Sequence, residues 1–251
     1  RASAGDLAGR VKYVGLLAIG FGLVAWYVAR GGPVLGYLSL VLASWLLLAT
    51  VREWMLRIRL FDVPLIEAMH RAKGLPRAAY GMSLAHAGLA IAIFGFVGSS
   101  VWKSEQILFV TPGSNIQIAG FDVTFSGAEQ VRGPNYIADR GALVVMRNGQ
   151  KVTTLYPERR FYPIAQSTTT ESAIRSTLAG DLYASLSEPA SEQAEAKGAW
   201  TLRILYEPLV NFIWLGSALL VVGGLVSLSD RRLRVGAPKT RKLRAVPMSA
   251  E

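Results

Sequence analysis

The sequence predicts an α-helical membrane protein with four transmembrane helices and a small antiparallel β domain, barrel- or sandwich-like, inserted between helices 3 and 4. Hydrophobic residues make up 51% of the 251-residue chain, and the mean hydropathy of +0.33 is too high for an ordinary soluble domain. Four apolar stretches are long enough to cross a bilayer. The long segment between the third and fourth alternates apolar with polar residues, as strands with one buried face do.

The four apolar stretches are predicted to be membrane spans because a helix needs about 17–25 residues to cross the hydrocarbon core. They cover residues 11–29, 33–50, 80–101 and 209–228. Gly31 and Gly32 join the first two directly, so we interpret the first as a span rather than a cleaved signal peptide. The chain begins with Arg1 rather than methionine, and we expect it to be a piece of a longer protein.

The charged residues predict how the chain is divided and oriented. Residues 1–101 are predicted to hold three helices and a basic loop at 51–79, and residues 102–207 are predicted to form the β domain. Residues 208–229 are predicted to form the fourth helix, and residues 230–251 form a basic tail. The loop has six Lys and Arg against three acids, the tail seven against two, and the β domain ten against eleven. Since Lys and Arg in short loops mark the cytoplasmic side, the loop and tail are predicted inside and the β domain outside. We interpret the basic patches as topology determinants and lipid headgroup contacts, with no nucleic acid as partner.

Within the β domain, alternation and turn signals predict the individual elements. Strands are expected at residues 106–111, 116–125 with a turn at Gly120, 142–147, 151–156 and 199–206. Asn148 and Gly149 form a strong hairpin signal between the third and fourth of these. A Ser/Thr-rich stretch predicts a short helix over residues 169–178, and residues 187–198 are predicted to be a mobile polar loop. The sequence has no cysteine, so this domain has no disulfide and the chain itself performs no thiol chemistry.

His86 is the candidate functional residue of the membrane region, because it lies inside the third span. An imidazole in hydrocarbon is unfavourable unless it pairs, binds a ligand or faces a wet cavity. Histidine is also a common ligand of metals and of haem iron. The alternative is a hydrogen bond between helices, and the position of His86 alone does not decide between the two.

A stripe of small residues follows the same span at alternating four- and three-residue steps: Gly81, Ala85, Gly88, Ala92 and Gly95. Such a stripe lets another helix or a flat ligand approach the backbone closely. Plain helix packing is the simpler interpretation, and it does not require a ligand.

His70 is the second histidine, and it lies in the basic loop. Nothing apolar forces it to find a partner, so we interpret it as a solvated or interfacial residue. The surrounding residues 62–72 are predicted to form an amphipathic helix on the inner leaflet.

The sequence lacks the motifs that are typical of several kinds of catalytic site. There is no Gly-x-x-x-x-Gly-Lys, His-Glu-x-x-His or Gly-x-Ser-x-Gly, and no Cys-x-x-Cys-His for covalent haem. No span carries a pair of carboxylates, which argues against a proton-coupled transporter. A single histidine does not ligate a haem iron twice, so a second ligand would have to come from elsewhere.

An ordered set of short motifs resembles a known family. The motifs are Gly133-Pro134-Asn135-Tyr136, Tyr156-Pro157-Glu158-Arg159-Arg160-Phe161-Tyr162, Thr170-Glu171-Ser172-Ala173-Ile174, Asp181-Leu182-Tyr183, Trp214-Leu215-Gly216, Gly223-Gly224 and Asp230-Arg231-Arg232. In this order they resemble the C-terminal portion of the CcmF family, the haem lyase subunit of bacterial cytochrome c maturation. The resemblance covers most of residues 80–235, and the first two spans match by position more than by motif.

The resemblance implies a haem lyase that attaches haem to exported apocytochrome c. It implies a multi-pass protein of the bacterial inner membrane, with residues 102–207 in the periplasm. His86 matches one of two intramembrane histidines that ligate a haem b, so it is expected to be an axial ligand of the haem iron. The partners implied are the rest of the lyase, other cytochrome c maturation subunits, a haem chaperone, apocytochrome c and the lipid membrane.

The tryptophan-rich segment of the family, its two exported haem-ligating histidines and the partner intramembrane histidine are missing here. The chain is therefore expected to be the last third of such a protein, or one product of a split gene. It is not expected to be active by itself, and its catalytic residues are unknown. Arg159 and Arg160 are candidates for contact with haem propionates or an acidic partner, against surface salt bridges. Because neighbouring strand residues face opposite sides, at most one of them would reach a given ligand.

The alternative function is a non-catalytic membrane scaffold whose periplasmic domain docks apocytochrome c or other maturation subunits. His86 would then be merely packed, and the polar loop or the Arg159–Tyr162 strand would carry the contacts. A transporter subunit is the weakest hypothesis, because the spans offer no substrate path.

Overall fold

The computed structural model describes residues 4–29, 31–188 and 199–230. Within these ranges the chain forms five helices and ten strands. The helices are α1 (Ala4–Ala29), α2 (Val34–Ile58), α3 (Leu65–Gly74), α4 (Arg77–Val101) and α5 (Asn211–Leu228). The strands are β1 (Ser104–Val110), β2 (Asn115–Ile118), β3 (Phe121–Arg132), β4 (Ile137–Arg147), β5 (Gln150–Leu155), β6 (Glu158–Tyr162), β7 (Ser167–Glu171), β8 (Ala173–Thr177), β9 (Gly180–Ser187) and β10 (Trp200–Pro208).

Four of the described helices, all except the short α3, are long and apolar enough to cross a membrane. This agrees with the four predicted spans and indicates a multi-pass membrane protein. α2 continues beyond the predicted apolar stretch as far as Ile58. In these last turns Glu53 and Arg57 form an ion pair at i and i+4. The helix ends where Arg59 adopts a left-handed conformation with φ of 54°.

The stripe of small residues packs α4 against α5, which confirms the helix-packing interpretation. A Cβ atom added to Gly88 would lie 2.7 Å from the carbonyl oxygen of Gly216 and 2.8 Å from the backbone nitrogen of Leu220. The same close approach recurs where Gly81 meets the backbone of Gly223, at 2.5 Å. Because lipid supplies little hydrophobic drive between helices, such backbone contact is what stabilises a transmembrane pair.

Asp230 connects the end of α5 to the start of α4. α4 begins after Pro76, which caps no backbone N–H with its own side chain. Instead the N–H of Ala78 donates to Oδ2 of the buried Asp230 at 3.0 Å. A carboxylate at a helix N-terminus also interacts favourably with the helix dipole. The two neighbouring spans are therefore joined by a polar contact as well as by packing.

The segment between α4 and α5 is a two-sheet antiparallel sandwich, which confirms the predicted fold class. One sheet has the order β1-β10-β9-β8, and the other the order β2-β3-β4-β6-β7, with β5 also pairing with β4. The inward faces of both sheets form one core, whose largest fully buried side chains include Phe125, Leu143, Leu182, Leu186 and Leu202. The domain has a continuous apolar core and contains no disulfide.

The predicted short helix at residues 169–178 is wrong. The stretch forms β7 and β8, with Ser172 between them, where the chain passes from one sheet to the other. Thr168, Thr169 and Thr170 are β-branched and favour extended backbone. Pairing of β7 with β6 and of β8 with β9 supplies the backbone hydrogen bonds that the helix would have made. Residues 189–198 of the predicted polar loop and residues 231–251 of the basic tail lie outside the described residues.

Candidate functional site

His86 lies on the outward face of α4, turned away from α5. This face carries the exposed side chains of His86, Leu89, Phe96 and Ser100, which recur at helical spacing, with the half-buried Ile93 among them. Leu89 is 43% exposed and Phe96 is 65% exposed. The described residues thus leave an apolar surface on the C-terminal side of the imidazole along the helix, where a helix or a flat ligand can pack.

The imidazole of His86 is oriented by its own helix. Its Nδ1 atom lies 2.8 Å from the carbonyl oxygen of Met82. A carbonyl only accepts, so we assign the proton to Nδ1, and Nε2 then carries a free lone pair. No residue of the described ranges hydrogen-bonds to Nε2. Within these ranges His86 therefore makes no hydrogen bond to another helix, which was the alternative interpretation.

This arrangement fits a haem ligand by its donor chemistry. Ligating histidines are neutral, and the other ring nitrogen donates to a backbone carbonyl or carboxylate, which fixes the tautomer. Among the described residues there is no group of three or more His, Cys, Asp or Glu side chains that could hold a metal ion. A single imidazole suits a metal that is already held by another ligand set, as iron is held by a porphyrin.

His70 makes the same kind of hydrogen bond as His86 but lies in a different environment. Its Nδ1 makes the same contact, 2.9 Å from the carbonyl oxygen of Ile66, one turn earlier in α3. α3 is not among the helices that can span a membrane, and His70 is exposed. The two histidines therefore share their local geometry and differ in their surroundings, which makes His70 a matched control.

An apolar groove between α2 and α4 adjoins the face that carries His86. It has a volume of about 410 Å³ and is lined by Thr50, Val51, Trp54, Tyr80, Ser83, Leu84 and Ala87. We did not predict this groove, because it depends on how two separate spans pack. Spacing along the sequence shows which residues share a helix face, but not which faces meet.

Arg159 and Arg160 lie in β6 and are both engaged within the sandwich. Arg159 forms ion pairs with Glu188 at 2.7 Å and Asp139 at 3.7 Å. Arg160 donates from Nε to Glu158 at 2.8 Å, and its guanidinium lies 4.5 Å from the ring centroid of Tyr136. Contact with a propionate or a partner stays a prediction for both.

The structure does not bring these arginines to His86. The sandwich begins after the C-terminal end of α4, and His86 precedes Val101 by fifteen residues, roughly 22 Å of helix. His86 on the one hand and the arginine pair on the other are therefore separate candidate sites.

Glu158 is the centre of the charged cluster in β6. It is buried, 6% exposed, and accepts hydrogen bonds from Nε of Arg140 at 2.6 Å and Nε of Arg160 at 2.8 Å. Burial raises the pKa of its carboxyl, but the hydrogen bonds from Arg160 and Arg140 outweigh burial and hold the pKa below its usual value. The same contact raises the pKa of Arg160.

We predict that Glu158→Gln destabilises the sandwich by about 2–4 kcal/mol at pH 7, because two charge-assisted hydrogen bonds lose their anionic acceptor. The measurement is amide hydrogen exchange of β4 and β6 in the detergent-solubilised chain. The pKa of Glu158 is lower in the folded chain than in the unfolded chain, where it is about 4.5. The contribution of Glu158 to the free energy of unfolding is therefore complete above pH 4.5 and is lost as the pH falls through the folded pKa. The difference between variant and wild type should shrink below pH 4.5. Glu129→Gln, at an exposed position of β3, is the control, and an equal effect there would contradict the prediction.

Comparison with known proteins places the chain among cytochrome c biogenesis proteins. A family model described as the CcmF C-terminal beta-sandwich matches residues 101–208. The cytochrome c-type biogenesis protein CycK of Bradyrhizobium diazoefficiens is 38% identical over 250 residues, which are 98% of this chain and 37% of the relative. CcmF of Pseudomonas fluorescens is 36% identical over 249 residues, which are 97% of this chain and 34% of the relative.

A solved structure has the same fold. A cytochrome c haem lyase CcmF superimposes with a TM-score of 0.64 and 19% identity, over 91% of this chain and 35% of that chain. The chain thus spans about a third of the length of the relatives it matches.

Proposed function

Because the chain belongs to the CcmF family of cytochrome c-type biogenesis proteins, whose C-terminal portion it matches, we propose that it forms part of a cytochrome c haem lyase. The lyase would attach haem to exported apocytochrome c. The observation that carries the proposal is the free Nε2 lone pair of His86 on an exposed face of a membrane-spanning helix. This chain would contribute to the lyase without being active by itself.

His86 would supply one axial ligand to a haem b within the membrane, and a histidine outside this chain would supply the other. When bound, such a haem carries one electron between its ferric and ferrous states. The carbonyl of Met82 holds the Nδ1 proton and so keeps Nε2 available. Leu89 and Phe96 would exclude water along the helix, and the close packing of α4 on α5 fixes the position of the imidazole.

The sandwich would lie on the periplasmic side of a bacterial inner membrane. The basic loop between α2 and α4 favours the cytoplasmic side, and the sandwich leaves from the opposite end of α4. At that side it would meet the partners of haem attachment, namely apocytochrome c, the haem chaperone, other maturation subunits and the remainder of the lyase.

A second candidate function is a docking scaffold, and one observation favours it. β1 is an edge strand, and its outward side chains Ile107 and Phe109 are 65% and 69% exposed. Exposed apolar side chains on an edge strand are typical of protein interaction sites. Under this hypothesis the sandwich would bind apocytochrome c or another subunit, and His86 would have no ligand.

The test is covalent haem in exported cytochrome c, in cells whose only copy of the protein carries His86→Ala. We expect covalent haem, detected by peroxidase staining of denaturing gels, to fall to background, while His70→Ala leaves it unchanged. Normal staining with His86→Ala, together with loss of partner co-purification in an Ile107→Ser/Phe109→Ser variant, would support the scaffold and reject the ligand role.

A further inference from the structure

The connection between α2 and α4 has an exposed apolar surface that the haem-lyase proposal does not use. Phe61, Leu65, Ile66 and Met69 are 84%, 66%, 73% and 56% exposed. They belong to α3 and the turn before it, and the flanking helices are both long enough to cross a membrane. Since α2 ends at Ile58 and α4 begins at Arg77, this segment is held at the level where the spans leave the bilayer.

At the helical rotation of about 100° per residue, the side chains of α3 fall on three distinct faces. Ala68 is buried at 1% exposure, and together with the half-buried Ala72 it marks the face turned toward the helix bundle. Leu65, Met69 and Ile66 form the second face, roughly 90° away. The third face carries Glu67, His70, Arg71 and Gly74, roughly opposite the second, and Glu67 and Arg71 form an ion pair at 2.8 Å. A helix lying in the interface beside a bundle needs this arrangement of a packed, an apolar and a polar side.

A hydrogen bond from α4 and the turn that ends α2 fix α3 in this orientation. The hydroxyl of Tyr80 in α4 donates to the carbonyl oxygen of Ala72 at 2.7 Å. At the other end, the left-handed Arg59 ends α2 and turns the chain toward α3. The apolar face is therefore held on the outside of the helix bundle.

The charge of the segment specifies the lipid. Arg59, Lys73 and Arg77 make no ion pair with any residue of the described ranges, and Arg52 and Arg59 line a pocket that also contains Phe61 and Asp62. Lys73 lies at the end of the apolar face, where its stem can follow the acyl chains while the ammonium reaches the headgroups. Basic residues beside a membrane span attract anionic headgroups.

We propose that α3 and Phe61 form an interfacial anchor that binds anionic phospholipid, with the apolar face in the acyl region and Arg59, Lys73 and Arg77 at the headgroup phosphates. The anchor fixes the depth of α2 and α4, and hence the depth of His86. It does not depend on whether His86 binds haem.

The test uses the absence of cysteine from this chain. Met69→Cys and the matched control His70→Cys, on the apolar and polar faces, are labelled with an environment-sensitive fluorophore. The full chain is reconstituted in nanodiscs of phosphatidylcholine with or without phosphatidylglycerol. We expect doxyl lipids to quench the label at position 69 several-fold more than the label at 70, and aqueous iodide to show the reverse.

Anionic preference is tested by comparing doxyl-phosphatidylglycerol with doxyl-phosphatidylcholine at the same mole fraction. Doxyl-phosphatidylglycerol should quench the label at position 69 more strongly than doxyl-phosphatidylcholine does. The double variant Lys73→Gln/Arg77→Gln should reduce this extra quenching by roughly five-fold for each charge removed, at low salt. Lys151→Gln, an exposed lysine of the sandwich, should leave it unchanged. Quenching of position 69 by iodide, protection from both quenchers, or equal quenching by the two lipids would overturn the proposal.

Discussion

A complex that contains His86→Gly is expected to lose the six-coordinate b-type signal from its reduced-minus-oxidised absorbance spectrum, and added imidazole is expected to restore it. The side chain is exposed on α4, and among the described residues its hydrogen bond is made within its own helix, to Met82. Its removal therefore leaves the packing of the described helices intact. Glycine leaves space on the outward face, and external imidazole has the same donor nitrogen as the missing side chain.

Two controls separate ligation from structural damage in that experiment. His70→Gly removes an imidazole with the same backbone hydrogen bond, 2.9 Å to Ile66, and should leave the spectrum unchanged with or without imidazole. Leu89→Ala alters the same helix face without removing a donor, and it should retain six-coordinate haem. An unchanged spectrum in His86→Gly would remove His86 from the iron and leave the scaffold hypothesis.

The membrane spans could be predicted from sequence because length and apolarity alone decide them. The same holds for the stripe from Gly81 to Gly95, whose spacing shows that the residues share one helix face. It does not show that the partner is α5, because Gly216 and Gly223 lie more than a hundred residues later. The contact between Asp230 and the N–H of Ala78 was unpredictable for the same reason.

In the sandwich, prediction failed in one place because a local signal and the sheet pairing conflict. The run from Thr168 to Thr170 resembles a helix start, yet the cross-strand hydrogen bonds of β6 decide its conformation. β9 was not predicted, although Leu182, Ala184 and Leu186 alternate in the sequence and are buried. That alternation was the available signal. For the candidate site, the sequence identified His86. The tautomer depends on the contact of Nδ1 with the carbonyl of Met82, and the outward orientation depends on which face of α4 packs on α5.

Gly216→Val is expected to separate α4 from α5 and to lower both the stability of the chain and its haem content. A Cβ atom at this position would lie 2.4 Å from the backbone nitrogen of Ala92 and 2.5 Å from the carbonyl oxygen of Gly88. Backbone atoms in the middle of a helix do not yield as a flexible side chain does, so the helices must move apart. Overpacking typically costs about 1–3 kcal/mol and more against rigid neighbours, so we expect the apparent Tm in detergent to fall by roughly 5–10 °C.

Gly224→Val is the matched control, since it places the same side chain in the same helix where no atom lies within 4 Å of the added Cβ. It shares the helix propensity of the first substitution and should leave Tm and haem content near those of the wild type. Imidazole should not rescue Gly216→Val, because that variant still has the donor at His86 and lacks only its correct position. Equal Tm values for the two valine variants would show that the α4–α5 contact does not hold the spans together. If imidazole restored the haem signal of Gly216→Val, the variant would be lacking a donor nitrogen at the haem iron, and the explanation by displacement of the helix would be wrong.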